Sequence, residues 1–348
     1  MKHKEKKLSL LKRIKQKILK ILRLSRQPLV KVYNGYGSSE KVIVFGHVLK
    51  LSPMMRKTYR QNWIINTFSM LRLFMIEPYK NARLSMEWAG VTSYTHSQDD
   101  GFFRFEFQAS KELKAGWHSI SVQLEEKKYL SKKIHGKGEL FIPFKSSYVF
   151  VSDIDDTFLI SHSSTIRRRL YVLLTKNARS RKPFAGVVNH YNLLSSSGQP
   201  DCENSPFFYV SSSEWNLYDY IVEFSRENHM PKGVYLLNEL KRFSQVWKTG
   251  QNKHGTKFFR IVRIVEAYPD RKFILFGDDS QEDPNIYAAL VDHFKDKIFA
   301  IYIRKVHKYN FKKVQPIVDK MIASGIHCCY FTHSAEAIAH SKSIGIII

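Results

Sequence analysis

The sequence predicts an α/β protein. A parallel-sheet domain over residues 148–348 is preceded by a β-sandwich-like domain over 28–147 and a basic amphipathic helix over 1–27. Three observations predict it. Positive charge is concentrated at the start of the chain beside a helical apolar stripe. Short β-branched and aromatic runs then follow one another between turn signals. Beyond residue 148, near-continuous apolar runs alternate with helical stretches, the rhythm of parallel strands covered on both faces.

Residues 1–27 hold eleven Lys/Arg against one acid, Glu5, and so carry +10 of the chain's +25. Leu11, Ile14, Ile18 and Ile21/Leu22 fall on one stripe at helical spacing, with Lys12, Arg13, Lys15, Lys17 and Lys20 around the other faces. Pro28 ends the pattern. A helix of this kind suits an anionic membrane surface. The competing reading is a solvated basic arm that binds nucleic acid or nothing in particular; the apolar stripe weighs against it, and no nucleic-acid partner is expected. Lysines interrupt every apolar run that a signal peptide would need, ~7–15 residues. No stretch approaches the roughly 20 apolar residues of a membrane span. The three cysteines, Cys202, Cys328 and Cys329, show no CxxC spacing, which fits a reducing compartment and argues against zinc. The expectation is a cytoplasmic protein held peripherally at a membrane.

Between 28 and 147 the runs VKVY, KVIVFGHVL, ARLSMEWAG, FFRFEFQA, HSISVQL and GELFIPF read as strands. FRFEF alternates with period two, as a strand with one buried face does. Gly35-Tyr36-Gly37, Asp99-Asp100-Gly101 and Gly116 read as turns, and residues 53–78 as a more helical insertion. No catalytic or metal-ligating cluster stands out in this part. After 148, YVFVS, PFFYVS, GVYLL, RKFILFG, KIFAIYI and CCYF read as buried strands, and 214–228, 256–268, 284–294 and 311–324 as the helices between them.

Four polar clusters punctuate the alternation. Asp153, Asp155 and Asp156 end the first strand; Asp153 and Asp155 share a face in an extended chain. One carboxylate can be a nucleophile and its neighbour a general acid then base. A calcium loop is excluded, since its sixth and twelfth positions hold Phe158 and Ser164 rather than Gly and Glu. Ser211-Ser212-Ser213 follows FFYV, where hydroxyls and helix-start N–H groups bind phosphoryl oxygens; N-capping is the simpler role for Ser213. Lys257 opens a helix and can neutralise phosphate and a carboxylate. Finally, Asp278 and Asp283 lie in GDDSQEDP, where oxygen ligands suit Mg²⁺, although Asp before Pro is also a good helix cap.

In this order the clusters resemble the haloacid dehalogenase-like phosphohydrolases, whose pattern is DxDxT, Ser/Thr, Lys and an acidic GD motif on a Rossmann-like domain. VSDIDDT, TKNARSRKPFAGV, FFYVSSSEWNLYD and RKFILFGDDSQEDPNIY extend the resemblance to the actin-patch-protein-type phosphatidate phosphatases over about 29–305. The resemblance implies Mg²⁺-dependent conversion of phosphatidate to diacylglycerol and phosphate through an aspartyl-phosphate. It implies Asp153 as nucleophile and Asp155 as acid/base, with Thr157 supporting the loop. Ser211 and Lys257 match phosphate ligands, with Ser212 and Lys253 as the alternatives in register. Asp153, Asp155, Asp278 and Asp283 match the metal set. Asp279 stands where the family usually carries Ser, and is expected to add negative charge beside the metal.

Residues 158–206 form the expected insertion or cap. They are rich in cations, of which Arg179 and Lys182 lie inside the family-like stretch and are the candidates for substrate binding. Two alternatives to a phosphatidate phosphatase stand beside it: a related phosphatase for another phosphomonoester, and an inactive membrane-associated scaffold.

Overall fold

The computed structural model describes residues 24–38, 40–53, 72–109, 113–126, 133–144, 148–154, 183–196, 205–240, 253–307 and 309–347. The first half is a set of ten mainly antiparallel strands. They are β1 (Leu24–Ser25), β2 (Leu29–Val32), β3 (Gly35–Gly37), β4 (Val42–Pro53), β5 (Glu77–Pro78), β6 (Arg83–Trp88), β7 (Val91–His96), β8 (Phe102–Phe107), β9 (Gly116–Leu124) and β10 (His135–Ile142). β4 is the hub, pairing antiparallel with β1, β2, β3, β5 and β8. β10 links β3 to β9, and β9 leads on to β6 and β7.

β4 reads as an unbroken apolar run because both of its faces are covered. Val42, Val44 and Val48 pack with Val30, Phe103, Leu84 and Val122, while Ile43 and Phe45 join the core of the second half. Three expectations are corrected here. Gly35-Tyr36-Gly37 is a buried strand rather than a turn: a Cβ on Gly37 would lie 2.3 Å from the Lys41 carbonyl, so the backbones approach too closely for a side chain. Leu24–Ser25 pairs with Ser52 and Pro53, so the basic helix cannot extend to residue 27. In the expected helical insertion, Arg72 and Leu73 are helical but Glu77–Pro78 is a strand on β4; 54–71 lie outside the described residues.

The second half is a six-stranded parallel sheet of order β13-β12-β11-β14-β15-β16. Its strands are β11 (Tyr148–Asp153), β12 (Phe207–Glu214), β13 (Gly233–Asn238), β14 (Lys272–Asp278), β15 (Ile298–Arg304) and β16 (His327–Phe331). The helices are α1 (Val187–Ser195), α2 (Tyr218–Glu227), α3 (Lys253–Ala267), α4 (Asp283–Phe294), α5 (Phe311–Ala323) and α6 (Ser334–Ser343). α1 packs with α6, whereas α3, α4 and α5 pack in succession. α1 lies within the expected insertion, yet His190, Tyr191 and Leu194 are buried in the sheet's core, so this stretch is a covering helix. Strand order reverses about β11: the chain builds outward to β13, then crosses to β14 on the other side. The carboxyl ends of β11 and its neighbours are therefore the crevice where such sheets bind ligands.

The halves meet through aromatic and polar contacts. Tyr33 stacks on Trp215 with centroids 4.2 Å apart, Lys31 pairs with Asp219 at 2.7 Å, and Asn34 donates to the Gly233 carbonyl at 3.0 Å. Among the described residues, no helix is long and apolar enough to cross a membrane.

His190 sits between the sheet and α6, with its Nε2 2.9 Å from Ser341 Oγ. Burial first, then Arg304 and His340, push its pKa down to about 3. His47, buried beside Tyr33, is likewise lowered, chiefly by burial. In the unfolded chain both titrate near 6.5. Their folded pKa is depressed, so the stability of holding them neutral is complete above the unfolded value of about 6.5 and is lost as pH falls below it, toward about 3 for His190. Each adds a slope of about 1.4 kcal/mol per pH unit. Melting temperature should fall steeply across this window, and His190→Gln should flatten the fall. An unchanged pH dependence in the variant would refute the assignment.

Candidate active site

Strand ends and helix starts bring the described members of the four polar clusters to one edge of the parallel sheet. Asp153 is the last residue of β11 and Asp278 the last of β14, its parallel neighbour. β12 pairs Val210 with Asp153, which puts Ser211 one step beyond, where the pairing with β13 shifts before Glu214. Lys257 enters from the start of α3, and Asp283 is the first residue of α4.

Asp153, Asp278 and Asp283 are buried, and each offers a carboxylate oxygen within 4.8 Å of the others. Lys257 is buried with them. Its Nζ donates to Asp153 Oδ1 at 2.8 Å and to Asp283 Oδ1. Burial alone would lower the lysine's pKa; Asp153 and Asp283, by charge and hydrogen bond, outweigh it and hold the ammonium above its ordinary value. Burial, and next the charge of Asp283, push the pKa of Asp278 up as well, to about 8, against hydrogen bonds from Ser280 and the charge of Lys257. One ammonium thus leaves the three carboxylates undercompensated. An all-oxygen donor set with surplus negative charge fits a hard divalent cation, and lacks the His or Cys that zinc prefers.

Gly277 is fixed by this geometry. A Cβ there would stand 2.6 Å from Asp283 Oδ2 and 2.8 Å from the Tyr287 ring. Asp283 is the first helical residue rather than the cap, which is Glu282. Its carboxylate turns inward, to Lys257 and to the Asp278 N–H at 3.4 Å. The N-cap expectation for Ser213 is also corrected. β12 runs on to Glu214 because Glu214 still pairs with Asn238, and a short 3-10 turn, Trp215–Leu217, precedes α2. The serine cluster therefore lies on a strand end rather than a helix start, with the Ser213 N–H donating to Ser211 Oγ at 2.8 Å. Ser211 is buried and Ser212 half-buried.

Asp279 is a further correction. Rather than adding charge beside the three carboxylates, it accepts from the Val306 and His307 N–H groups at 2.8 and 3.0 Å and from Tyr330 Oη at 2.8 Å. The residue after Asp278 in an extended chain faces the other way. Arg260 is a residue that the motifs did not point to. Its guanidinium donates to the Ser211 carbonyl at 3.1 Å and to Asn238 Oδ1 at 3.0 Å, tying the ends of β12 and β13 to α3. The available signal was its position one turn after Lys257 on the same helix. Asp155, Asp156, Thr157, Arg179 and Lys182 lie outside the described residues, and of Lys253 only the backbone is described.

Comparison with known proteins adds to this geometry. Residues 148–305 match the family model described as phosphatidate phosphatase APP1, catalytic domain. The chain is 28% identical over 168 residues to the phosphatidate phosphatase APP1 of Saccharomyces cerevisiae, covering 46% of this chain and 27% of that protein. It is 24% identical over 159 residues to an uncharacterised protein of Schizosaccharomyces pombe, covering 45% of this chain and 25% of that one. The matches thus span about a quarter of each relative's length. Among solved structures, a carbohydrate acetylesterase from Xanthomonas citri covers 91% of this chain and 75% of its own. Its identity is 8% and its TM-score 0.35, too low to bear on fold or activity. By this match and these relatives, the stretch from 148 to 305 is similar to the phosphatidate phosphatase APP1 catalytic domain.

Proposed function

We propose that this chain is a Mg²⁺-dependent phosphatidate phosphatase releasing diacylglycerol and phosphate. The observation that carries the reading is the buried Asp153–Lys257–Asp283–Asp278 cluster at strand ends, inside the stretch that matches a phosphatidate phosphatase domain. Asp153, Asp278 and Asp283, with Asp155, would hold the cation. When bound, it would screen the negative charge of the phosphoryl group and of the carboxylates around it.

The chain's own residues would then divide the work. Asp153 Oδ attacks phosphorus, the ester P–O bond breaks, and Asp155 gives its proton to the departing alkoxide. Asp155 next takes a proton from the water that attacks phosphorus of the aspartyl-phosphate, which frees phosphate and restores the Asp153 carboxylate. Ser211, with Ser212 beside it, and Lys257 bind nonbridging oxygens, and Thr157 supports the loop. Arg179 and Lys182 meet the anionic headgroup. The parallel sheet and the order of the motifs support a haloacid dehalogenase-like, Rossmann-type domain over 148–348, with a cap drawn from the part of 158–206 that precedes α1. The first ten strands support a sandwich-like domain over 28–147. The basic segment at the start of the chain supports peripheral binding to an anionic cytoplasmic membrane face.

Phosphate release from phosphatidate in mixed micelles should be abolished by EDTA and restored by excess Mg²⁺. Release only from soluble phosphomonoesters would replace the lipid reading with that of a different phosphatase. No release from either would make the domain a scaffold.

A further inference from the structure

The loop after β15 opens at the same edge of the sheet as the carboxylate cluster, since β14 and β15 are parallel and pair Asp278 with Arg304. Its backbone is fastened by Asp279, which accepts from Val306 and His307 and lies next to Asp278 in the chain. At the tip, Tyr309 is 94% exposed; Phe311, which begins α5, is 46% exposed. Lys305 lies 4.5 Å from the Tyr330 ring centroid and 5.4 Å from that of Phe311. Phe311 stacks on Tyr330, whose hydroxyl is bonded to Asp279. Lys312 and Lys313 follow, both exposed.

Folding does not account for this arrangement. A large ring left in water forgoes the gain of burial, and here two such rings fall in one short stretch, 305–313, that holds four lysines. Aromatic rings settle at the headgroup level of a bilayer, and ammonium groups near the surface are attracted to anionic lipid. The carboxylate of Asp279 is turned inward to the loop, so it does not oppose that attraction. We propose that Lys305, Tyr309, Phe311, Lys312 and Lys313 form a docking surface for an anionic lipid bilayer, which holds the carboxyl edge of the sheet against the headgroups. The proposal rests on the lipid-substrate reading. It adds that the surface is tied through Asp279 to the strand carrying Asp278, so that docking sets the distance of the site from the bilayer.

The test uses the full chain, in which residues 1–27 can also bind membranes. Two variants are compared with the unaltered protein: Tyr309→Ser/Phe311→Ser/Lys312→Glu/Lys313→Glu, and Lys312→Glu/Lys313→Glu, which touches exposed charge alone. The readout is turnover of phosphatidate in phosphatidylserine-containing vesicles divided by turnover of monomeric short-chain phosphatidate. The ratio should fall roughly tenfold in the first variant and by a smaller factor in the second. A ratio unchanged in both variants would overturn the proposal, and dividing by monomeric turnover removes any general damage to the site. Vesicle sedimentation without turnover should show weaker binding in the same order. If the unaltered protein hydrolyses neither substrate, the functional reading fails, and sedimentation alone still decides the docking surface.

Discussion

Asp153→Asn will leave a folded protein whose phosphatidate turnover is lowered by at least roughly a thousandfold. The amide is nearly the same size as the carboxylate and can still accept from the Lys257 ammonium, which keeps Asp283 as its second partner. Side-chain placement at the end of β11 should therefore survive, with a far-ultraviolet spectrum and melting temperature close to those of the unaltered protein. On the proposed mechanism the variant lacks the nucleophile, because an amide oxygen does not form the acyl-phosphate. The loss should appear in kcat and kcat/KM alike, since in that mechanism the decisive contact of Asp153 with phosphorus is made only in the reaction. Turnover within tenfold of the unaltered enzyme would remove Asp153 from the role assigned to it.

How far the sequence could be read depended on how strongly each segment's environment marks its residues. β11, β14 and β15 were visible because strands buried on both faces are written as apolar runs. Val91–His96 was not read as a strand, since its side chains alternate between exposed and half-buried and include few apolar residues. α6 also escaped notice. Its sequence, SAEAIAHSKS, buries only small residues, Ser334, Ala337 and Ser341, and so carries no apolar stripe. Small residues there let the helix sit close to β16 and allow Ser341 to reach His190 and Tyr302. In the site, Asp153, Lys257, Asp278 and Asp283 were legible because a cation and carboxylates at successive strand and helix ends have a distinctive order. The direction of Asp279 was not read from composition, although strand alternation already turns it away from Asp278. Arg260 acts through the Ser211 carbonyl, a contact that no motif encodes.

Lys257→Met should destabilise the protein by about 3–5 kcal/mol at pH 8 in EDTA, the cost of removing one member of a buried ionic group. The ammonium is 3% exposed and bonded to two carboxylates that are each 1% exposed, so water cannot take its place at full strength. Without it, Asp153, Asp278 and Asp283 face one another in a buried site, and Asp278, already pushed up to about 8, loses the lysine charge that holds it down. A carboxyl whose folded pKa lies above its unfolded value favours folding at low pH, and this contribution disappears as pH rises through the folded value. The deficit of the variant should thus be small near pH 5 and grow toward pH 8. A hard divalent cation can take over part of the lysine's compensation, so millimolar Mg²⁺ should recover some of the loss at pH 8 and little at pH 5, where protons compete for the same oxygens. Denaturant unfolding of the variant at both pH values, with EDTA and with Mg²⁺, measures all four quantities. A deficit equal at the two pH values and indifferent to Mg²⁺ would mean that Lys257 contributes packing alone, and that the three aspartates do not act as one charged site.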